Sequence, residues 1–288
     1  MQTQLKNQIV VITGSTRGYG YAIAEAMLKA GATVVITGRN EEALRGAVES
    51  LKAFGSVNGE QLDVRDEAQV YEVVQRVIQK FGRIDIWVNN AGYSSSAGMV
   101  LDVNPGEALD MFRSNDLGVM YCTQAVLVHM LPRKAGTLVN VYGNGSFLRP
   151  ATPTAMYGAT KAWLTSFTRS LAKEIQGSGI RVLDFSPGMM MTDMLTSPRV
   201  VGEYGRDMLK DYAFVLRFLA GTPENAAQKL AAAVSSQRKE FAEIRLFKPW
   251  TPMLGMLRVA WENITKTGKI PKYKLKYEPA YRFKPKHE

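Results

Sequence analysis

Side chains that make disulfides or hold soft metals are scarce in this sequence: one cysteine, Cys122, and two histidines, His129 and His287, among 288 residues. A single thiol excludes a disulfide framework within the chain, and it leaves too few ligands for a thiolate metal cluster. The histidines stand far apart and lack the carboxylate spacing of a metal site, so no metal is implied. No apolar run approaches the roughly 20 residues needed to span a bilayer. Met1 to Gln8 is polar and carries no apolar signal core. A cytoplasmic protein is expected.

Acidic side chains are the minority: 26 against 36 lysines and arginines, a formal net charge of +10. Much of that excess sits at the end of the chain. Lys266, Lys269, Lys272, Lys274, Lys276, Arg282, Lys284 and Lys286 face only Glu278 and Glu288 there. No nucleic-acid motif accompanies the charge, so nucleic acid is not an expected partner.

What is present is an alternation of short β-branched runs with helical patterns. Strands are expected at Ile9–Ile12, Thr33–Thr37, Glu60–Leu62, Ile84–Val88, Thr137–Val141 and Ile180–Phe185. Helices are expected at Tyr21–Lys29, Glu41–Phe54, Glu67–Phe81, Pro105–Met130 and Tyr157–Gln176. This order implies βαβ crossovers and a mainly parallel, seven-stranded sheet covered on both faces, with a last strand near Ile244–Phe247. The fold class is α/β: a single doubly wound, Rossmann-like domain over 1–247, with a substrate lid at about 193–222. A helical and basic extension follows over 248–288. The ligand crevice is expected at the carboxyl ends of the strands.

Thr13-Gly14-Ser15-Thr16-Arg17-Gly18-Tyr19-Gly20 stands between the first strand and first helix. Glycines there let a pyrophosphate approach the backbone, and the helix N-terminus offers N–H groups to it. At the end of the second strand, where a carboxylate would accept from the ribose hydroxyls of NAD, the chain carries Arg39. Arg39 with Arg17 suits a 2′-phosphate and so NADP(H); solvated surface charges are the alternative. Asp63 and Val64 are expected to flank the adenine, and Asn89-Asn90-Ala91-Gly92 to line the cleft.

Tyr157 and Lys161 are four residues apart and share one helical face. A nearby ammonium favours the phenolate and lowers a tyrosine pKa toward the neutral range, where proton exchange is efficient. With the glycine turn and Asn89 to Gly92, this pair makes the sequence resemble the short-chain dehydrogenase/reductase family over roughly Gln8 to Thr192. The resemblance implies that Tyr157 protonates a carbonyl oxygen, that Lys161 grips the ribose, and that a nicotinamide supplies hydride. It also implies that Pro187, Gly188 and Thr192 lie beside the nicotinamide and that Asn115 holds a proton-relay water. The implied cofactor contacts are therefore Gly14, Ser15, Thr16, Arg17, Gly18, Tyr19, Gly20, Arg39, Asp63, Val64, Asn90, Ala91, Gly92, Tyr157, Lys161, Pro187, Gly188 and Thr192.

One family element is missing, a serine about a dozen residues before the tyrosine. Counting back reaches Asn144, aligning the strand reaches Gly143, and Ser146 follows in the same loop. Asn144 is the expected catalytic substitute, through its amide, and Ser146 reaching in from the loop is the alternative. Gly143-Asn144-Gly145-Ser146 with Arg149-Pro150, and Ser186-Pro187-Gly188-Met189, resemble the chlorophyll b reductase branch, which reduces a formyl group on a chlorin ring. A non-catalytic NADP(H)-binding sensor or scaffold is the alternative function, and a short-chain reductase of another lipid-like carbonyl or alcohol a further one.

Met189, Met190, Met191, Met194 and Leu195 suit either a bulky apolar substrate or the packing of a lid. The apolar stretch from Met253 to Ile264 suits packing on the core, a subunit contact, or a peripheral membrane contact through 252–288. The resemblance also implies a homodimer or homotetramer.

Overall fold

The computed structural model describes residues 4–267 and 271–282. Met1, Lys269, Lys284, Lys286, His287 and Glu288, named above, lie outside the described residues. The chain opens with β1 (Ile9–Ile12), α1 (Gly18–Lys29), β2 (Thr33–Gly38), α2 (Glu41–Leu51), β3 (Val57–Gln61), α3 (Glu67–Phe81) and β4 (Ile86–Asn89). α4 (Pro105–Phe112), α5 (Gly118–Arg133), β5 (Gly136–Val141), α6 (Ala155–Glu174) and β6 (Ile180–Ser186) complete the expected alternation. Every residue of β1 and β4 is buried, as continuous apolar runs in a two-sided parallel sheet require.

Helix starts follow local chemistry. Asn40 caps α2 by accepting from the Ala43 N–H at 2.7 Å, and Asp66 caps α3 by accepting from the Gln69 N–H at 3.0 Å. α3 then stops at Gly82, whose φ of 78° lies in the left-handed region.

Beyond β6 come α7 (Asp193–Thr196), β7 (Arg199–Val201), α8 (Gly202–Met208), α9 (Tyr212–Leu219), α10 (Pro223–Ser236), β8 (Phe241–Arg245), α11 (Thr251–Ile264) and β9 (Lys276–Glu278). The main sheet has seven strands in the order β3-β2-β1-β4-β5-β6-β8, all pairings parallel. Strand order reverses between β1 and β4, which puts the crevice above that pair. One apolar core, including Ile12, Ile36 and Leu183, joins the sheet to α1, α2 and α10; another, including Val11, Trp87 and Leu138, joins it to α3 and α5.

Three elements differ from the sequence reading. The helix expected as one piece from Pro105 is interrupted by a wide π-type turn at Arg113–Leu117. β3 starts at Val57, earlier than its polar composition suggests, and β8 starts at Phe241, three residues before the expected run. The tail also returns to the body: β9 pairs in parallel with β7, and Tyr273 and Leu275 pack on the cluster of Val200, Tyr212 and Leu216.

Candidate active site

The turn after β1 is held by side chains from both neighbouring strands. Ser15 Oγ donates to the Ile12 carbonyl at 2.7 Å and accepts from the Thr37 N–H at 2.9 Å. Thr13 Oγ1 accepts from the N–H groups of Asn90 and Ala91, each at 3.0 Å. Asn90 Nδ2 donates to the carbonyls of Thr13 and Gly14, both at 3.0 Å. The crevice between β1 and β4 is thereby stitched at its floor.

Glycine is required here sterically. Gly14 has φ +61° and Gly18 φ +59°, and a Cβ on Gly20 would lie 2.4 Å from the Gly14 carbonyl oxygen. No side chain caps α1, so its first N–H groups remain available to an anion. A glycine cradle under an uncapped helix fits the pyrophosphate of a dinucleotide. Gly18 also faces Thr192 across the crevice, 3.8 Å from the site of the absent Cβ.

The other expected cofactor residues are spread around this floor. Arg39 is exposed at the end of β2, while exposed Arg17 pairs with Asp193 at 3.6 Å. Thr16 packs on Gly38, and Pro187 is buried beside Gly188, whose φ is +79°. Ala91 backs against Gly14, and Gly92 against the Asn115 amide. Tyr19 turns its ring into the core of α1, so only its backbone belongs to the turn. Asp63 accepts two hydrogen bonds from its neighbour's Nε and Nη2 on Arg65, and Val64 packs on Gly118 in the core. Burial pushes the Asp63 carboxyl up, but the Arg65 hydrogen bonds outweigh it and hold it below its ordinary value.

On α6, Tyr157 precedes Lys161 by one turn. Lys161 is buried; its Nζ donates to the Val141 carbonyl at 3.2 Å and lies 5.7 Å from the centre of the Tyr157 ring. Asn115, in the wide turn before α5, accepts from the Tyr93 N–H at 3.1 Å and donates to the Tyr93 carbonyl and to Thr160 Oγ1. Its amide ties the loop after β4 to α6.

A model of the short chain dehydrogenase family matches residues 8–200. The chain belongs to that family. A chlorophyll(ide) b reductase from Arabidopsis thaliana is 39% identical over 195 residues, which cover 65% of this chain and 56% of that one. This chain therefore spans little more than half the length of that relative. A 3-oxoacyl-[acyl-carrier-protein] reductase from Chlamydia pneumoniae is 32% identical over 242 residues, 84% of this chain and 94% of the relative. Among solved structures, a 3-ketoacyl-(acyl-carrier-protein) reductase from Brucella melitensis complexed with NADH superposes with a TM-score of 0.73 at 27% identity. The match covers 84% of this chain and 97% of the neighbour. A nicotinamide dinucleotide is the cofactor class of this short-chain dehydrogenase.

The loop after β5 departs from the family pattern in space as well as in sequence. The Tyr157 hydroxyl lies against Gly143, where a Cβ would be only 2.2 Å away, so the residue beside the phenol has no side chain. Ser146 is buried and turned the other way; its Oγ accepts from the Gly143 N–H at 3.3 Å and donates to the Lys161 carbonyl at 3.4 Å. Asn144 is exposed, with no hydrogen bond among the described residues. Gly145 closes the loop onto α6: with φ +96°, its absent Cβ would meet Gly158 Cα at 2.2 Å, immediately after Tyr157.

Electrostatics run against the simple expectation for Tyr157. Burial pushes the phenol up to about 12, because Lys161 is turned to the Val141 carbonyl and leaves desolvation unopposed. Burial likewise pushes Lys161 down to about 8, while Asp116 partly restores it. Asp116 escaped the sequence reading. It is fully buried, neither carboxylate oxygen has a partner, and burial pushes it up to about 7 against the pull of Lys161. Its only signal was a carboxylate beside Asn115, at the start of the apolar run that follows from Leu117.

Removing that charge should weaken the ammonium further. In Asp116→Asn the alkaline limb of the rate–pH profile should move to lower pH, by up to about one unit. The sign follows from Lys161, which acts protonated and loses its proton sooner without a neighbouring carboxylate. An alkaline limb that stays in place in the variant would separate Asp116 from the lysine.

Proposed function

We propose that this short-chain dehydrogenase is an NADP(H)-dependent carbonyl reductase acting on an aldehyde or ketone of a bulky apolar molecule. The formyl group of chlorophyll b or a related chlorin is the leading substrate within that class. The observation that carries the reading is the placement of the Tyr157 hydroxyl against Gly143, on the helix that also bears buried Lys161. That arrangement stands at the carboxyl ends of β4 and β5, beside the glycine cradle.

The glycine turn of Gly14, Gly18 and Gly20 would hold a reduced nicotinamide dinucleotide, which would supply hydride to the carbonyl carbon. As that bond forms, the π-electron pair of the carbonyl moves to oxygen, and the oxygen takes the proton from Tyr157 Oη. A tyrosine held high by burial remains fully protonated at neutral pH and suits the role of donor. Lys161, as an ammonium, stabilises the phenolate left behind and binds the ribose. Asn144 is the second donor to the substrate oxygen, its amide free of internal bonds. Asn115 positions the proton path by fixing the loop after β4 against α6.

With no side chain at Gly143, the Tyr157 hydroxyl itself fills the space a Cβ would take, 2.2 Å from that position. Identity to the Arabidopsis chlorophyll(ide) b reductase over the shared stretch supports the same class. The test is NADPH oxidation against bulky aldehydes, including chlorophyll b and its phytol-free form. Turnover of small soluble aldehydes with none of the chlorins would remove the chlorin assignment.

Arg39 and Arg17 underlie the choice of NADP(H), since both guanidinium groups are exposed at the rim where a 2′-phosphate would lie. Arg39→Asp should raise the KM for NADPH at least about tenfold relative to NADH, the scale of one lost charge-assisted hydrogen bond. An unchanged ratio would refute the preference. The long helices α5 and α6 are the proposed faces of a homodimer or homotetramer, with Val128 and Leu131 exposed on α5. Light scattering on the purified protein reads that directly.

A further inference from the structure

α11 is mounted with its apolar side outward. It rests on the lid helix α9 through its narrow side, where Gly255 approaches the Phe218 carbonyl so closely that a Cβ would lie 2.2 Å from it. Glu262 on the same side pairs with Arg217 at 3.2 Å. On the opposite side Met253, Leu254, Met256, Leu257, Trp261 and Ile264 are each more than half exposed. At 3.6 residues per turn these positions fall in one contiguous arc of roughly 160°. An amphipathic helix packed on its own protein buries that arc instead. Trp250, immediately before the helix, is 56% exposed, and Phe214 on α9, the helix α11 packs against, is 62% exposed. A continuous apolar surface of this kind marks an interaction site.

We propose that this face seats on an anionic lipid surface and brings the lid to the bilayer. Charge selects that occupant over a second copy of the chain. From residue 248 onward the sequence holds ten lysines and arginines against three glutamates. A self-complementary contact would set those like charges against each other, whereas an anionic headgroup layer neutralises them. The apolar arc with exposed tryptophans at its start and in its last turns suits the boundary between headgroups and acyl chains. No helix among the described residues is long and apolar enough to cross a membrane, so the contact is a seating and not a span. The helix is tied to the lid, through α9, and strand β9 of the tail is tied to it through β7. Docking therefore places the substrate gate next to the lipid phase. The proposal stands independently of the reductase reading, because its readout is vesicle binding.

The experiment is flotation of the full chain with phosphatidylcholine vesicles, with and without an equal share of phosphatidylglycerol, alongside the double variant Leu257→Glu/Trp261→Glu. The wild type is expected to float with the anionic vesicles, at least tenfold less with the neutral ones, and less as salt rises. The double variant is expected to remain in the aqueous fraction while its thermal transition and dinucleotide binding match the wild type. Should the variant fail to fold, Met253→Glu on the same arc takes its place. Wild-type protein that stays aqueous with anionic vesicles overturns the proposal. So does a variant that floats unchanged, or a wild-type dimer that ignores vesicles and dissociates in the variant, which would make a second copy the occupant.

Discussion

Tyr157→Phe is expected to lower kcat by about 10²–10⁴, the range over which a positioned general acid accelerates a reaction. Dinucleotide affinity should be nearly unchanged. The substitution removes one oxygen and keeps the ring, and the glycine cradle and Asn90 bonds lie on other elements. Single-turnover oxidation of NADPH measures the chemical step, and quenching of protein fluorescence measures cofactor binding. Gly143 sharpens the expectation. The position beside the phenol has no side chain, so the Asn144 amide is left to hold the substrate oxygen, and an amide is too weak an acid to replace the phenol as proton donor. A Tyr157→Phe protein with wild-type turnover would mean that the proton comes from elsewhere. A wild type that binds NADPH and turns over no carbonyl would favour the sensor reading.

Gly20→Ala should have the second largest effect, and on binding more than on chemistry. The added methyl would meet the Gly14 carbonyl oxygen at 2.4 Å, Asn90 Nδ2 at 2.6 Å and Ser15 Cα at 2.8 Å. Two of these are backbone atoms of the turn, and the third is the side chain that pins the turn to β4, so none yields cheaply. Overpacking of this kind costs about 1–3 kcal/mol. At about 1.4 kcal/mol per decade, dinucleotide affinity falls by up to about a hundredfold. Gly46→Ala is the matched control, because its Cβ would meet nothing within 4 Å in the middle of α2. It should leave binding alone and raise stability by about 0.5–1 kcal/mol. Titration with NADPH and thermal melting of the two variants read both effects; equal behaviour would show that the turn tolerates a side chain.

Features fixed by local constraint were the ones legible in the sequence. The glycine turn was readable because only glycine permits both the positive φ at Gly14 and Gly18 and the close approach at Gly20. Buried parallel strands were readable as unbroken runs such as Ile9–Ile12. β3 was partly missed because an edge strand is half exposed and carries polar residues. The tyrosine and lysine were readable from helical spacing, but the pKa of the phenol was not. It depends on where Lys161 Nζ points, and that is set by the Val141 carbonyl across the sheet.

The loop after β5 shows a different limit. Spacing pointed to Asn144 and strand register to Gly143, one residue apart along the chain. Only the approach of Gly145 to Gly158 determines that the phenol lands at Gly143. Buried polar links were equally hidden, because each partner comes from an element distant in sequence. Asn89 donates to Asn140 at 2.9 Å, Asn140 donates to Thr168 at 2.9 Å, and Tyr142 donates to Asp184 at 2.5 Å. The pairing of β9 with β7 joins segments more than seventy residues apart, and nothing in the basic composition of the tail announces it.

The most direct measurement follows a labelled hydrogen. The protein is incubated with NADPH deuterated at C4 of the nicotinamide and with a bulky aromatic aldehyde, and the product is analysed by mass spectrometry. One deuterium on the new carbinol carbon, with an unlabelled hydroxyl proton and a reaction slowed by Tyr157→Phe, is the predicted result. An alcohol lacking the label, or an aldehyde left intact while NADPH is demonstrably bound, would contradict the account.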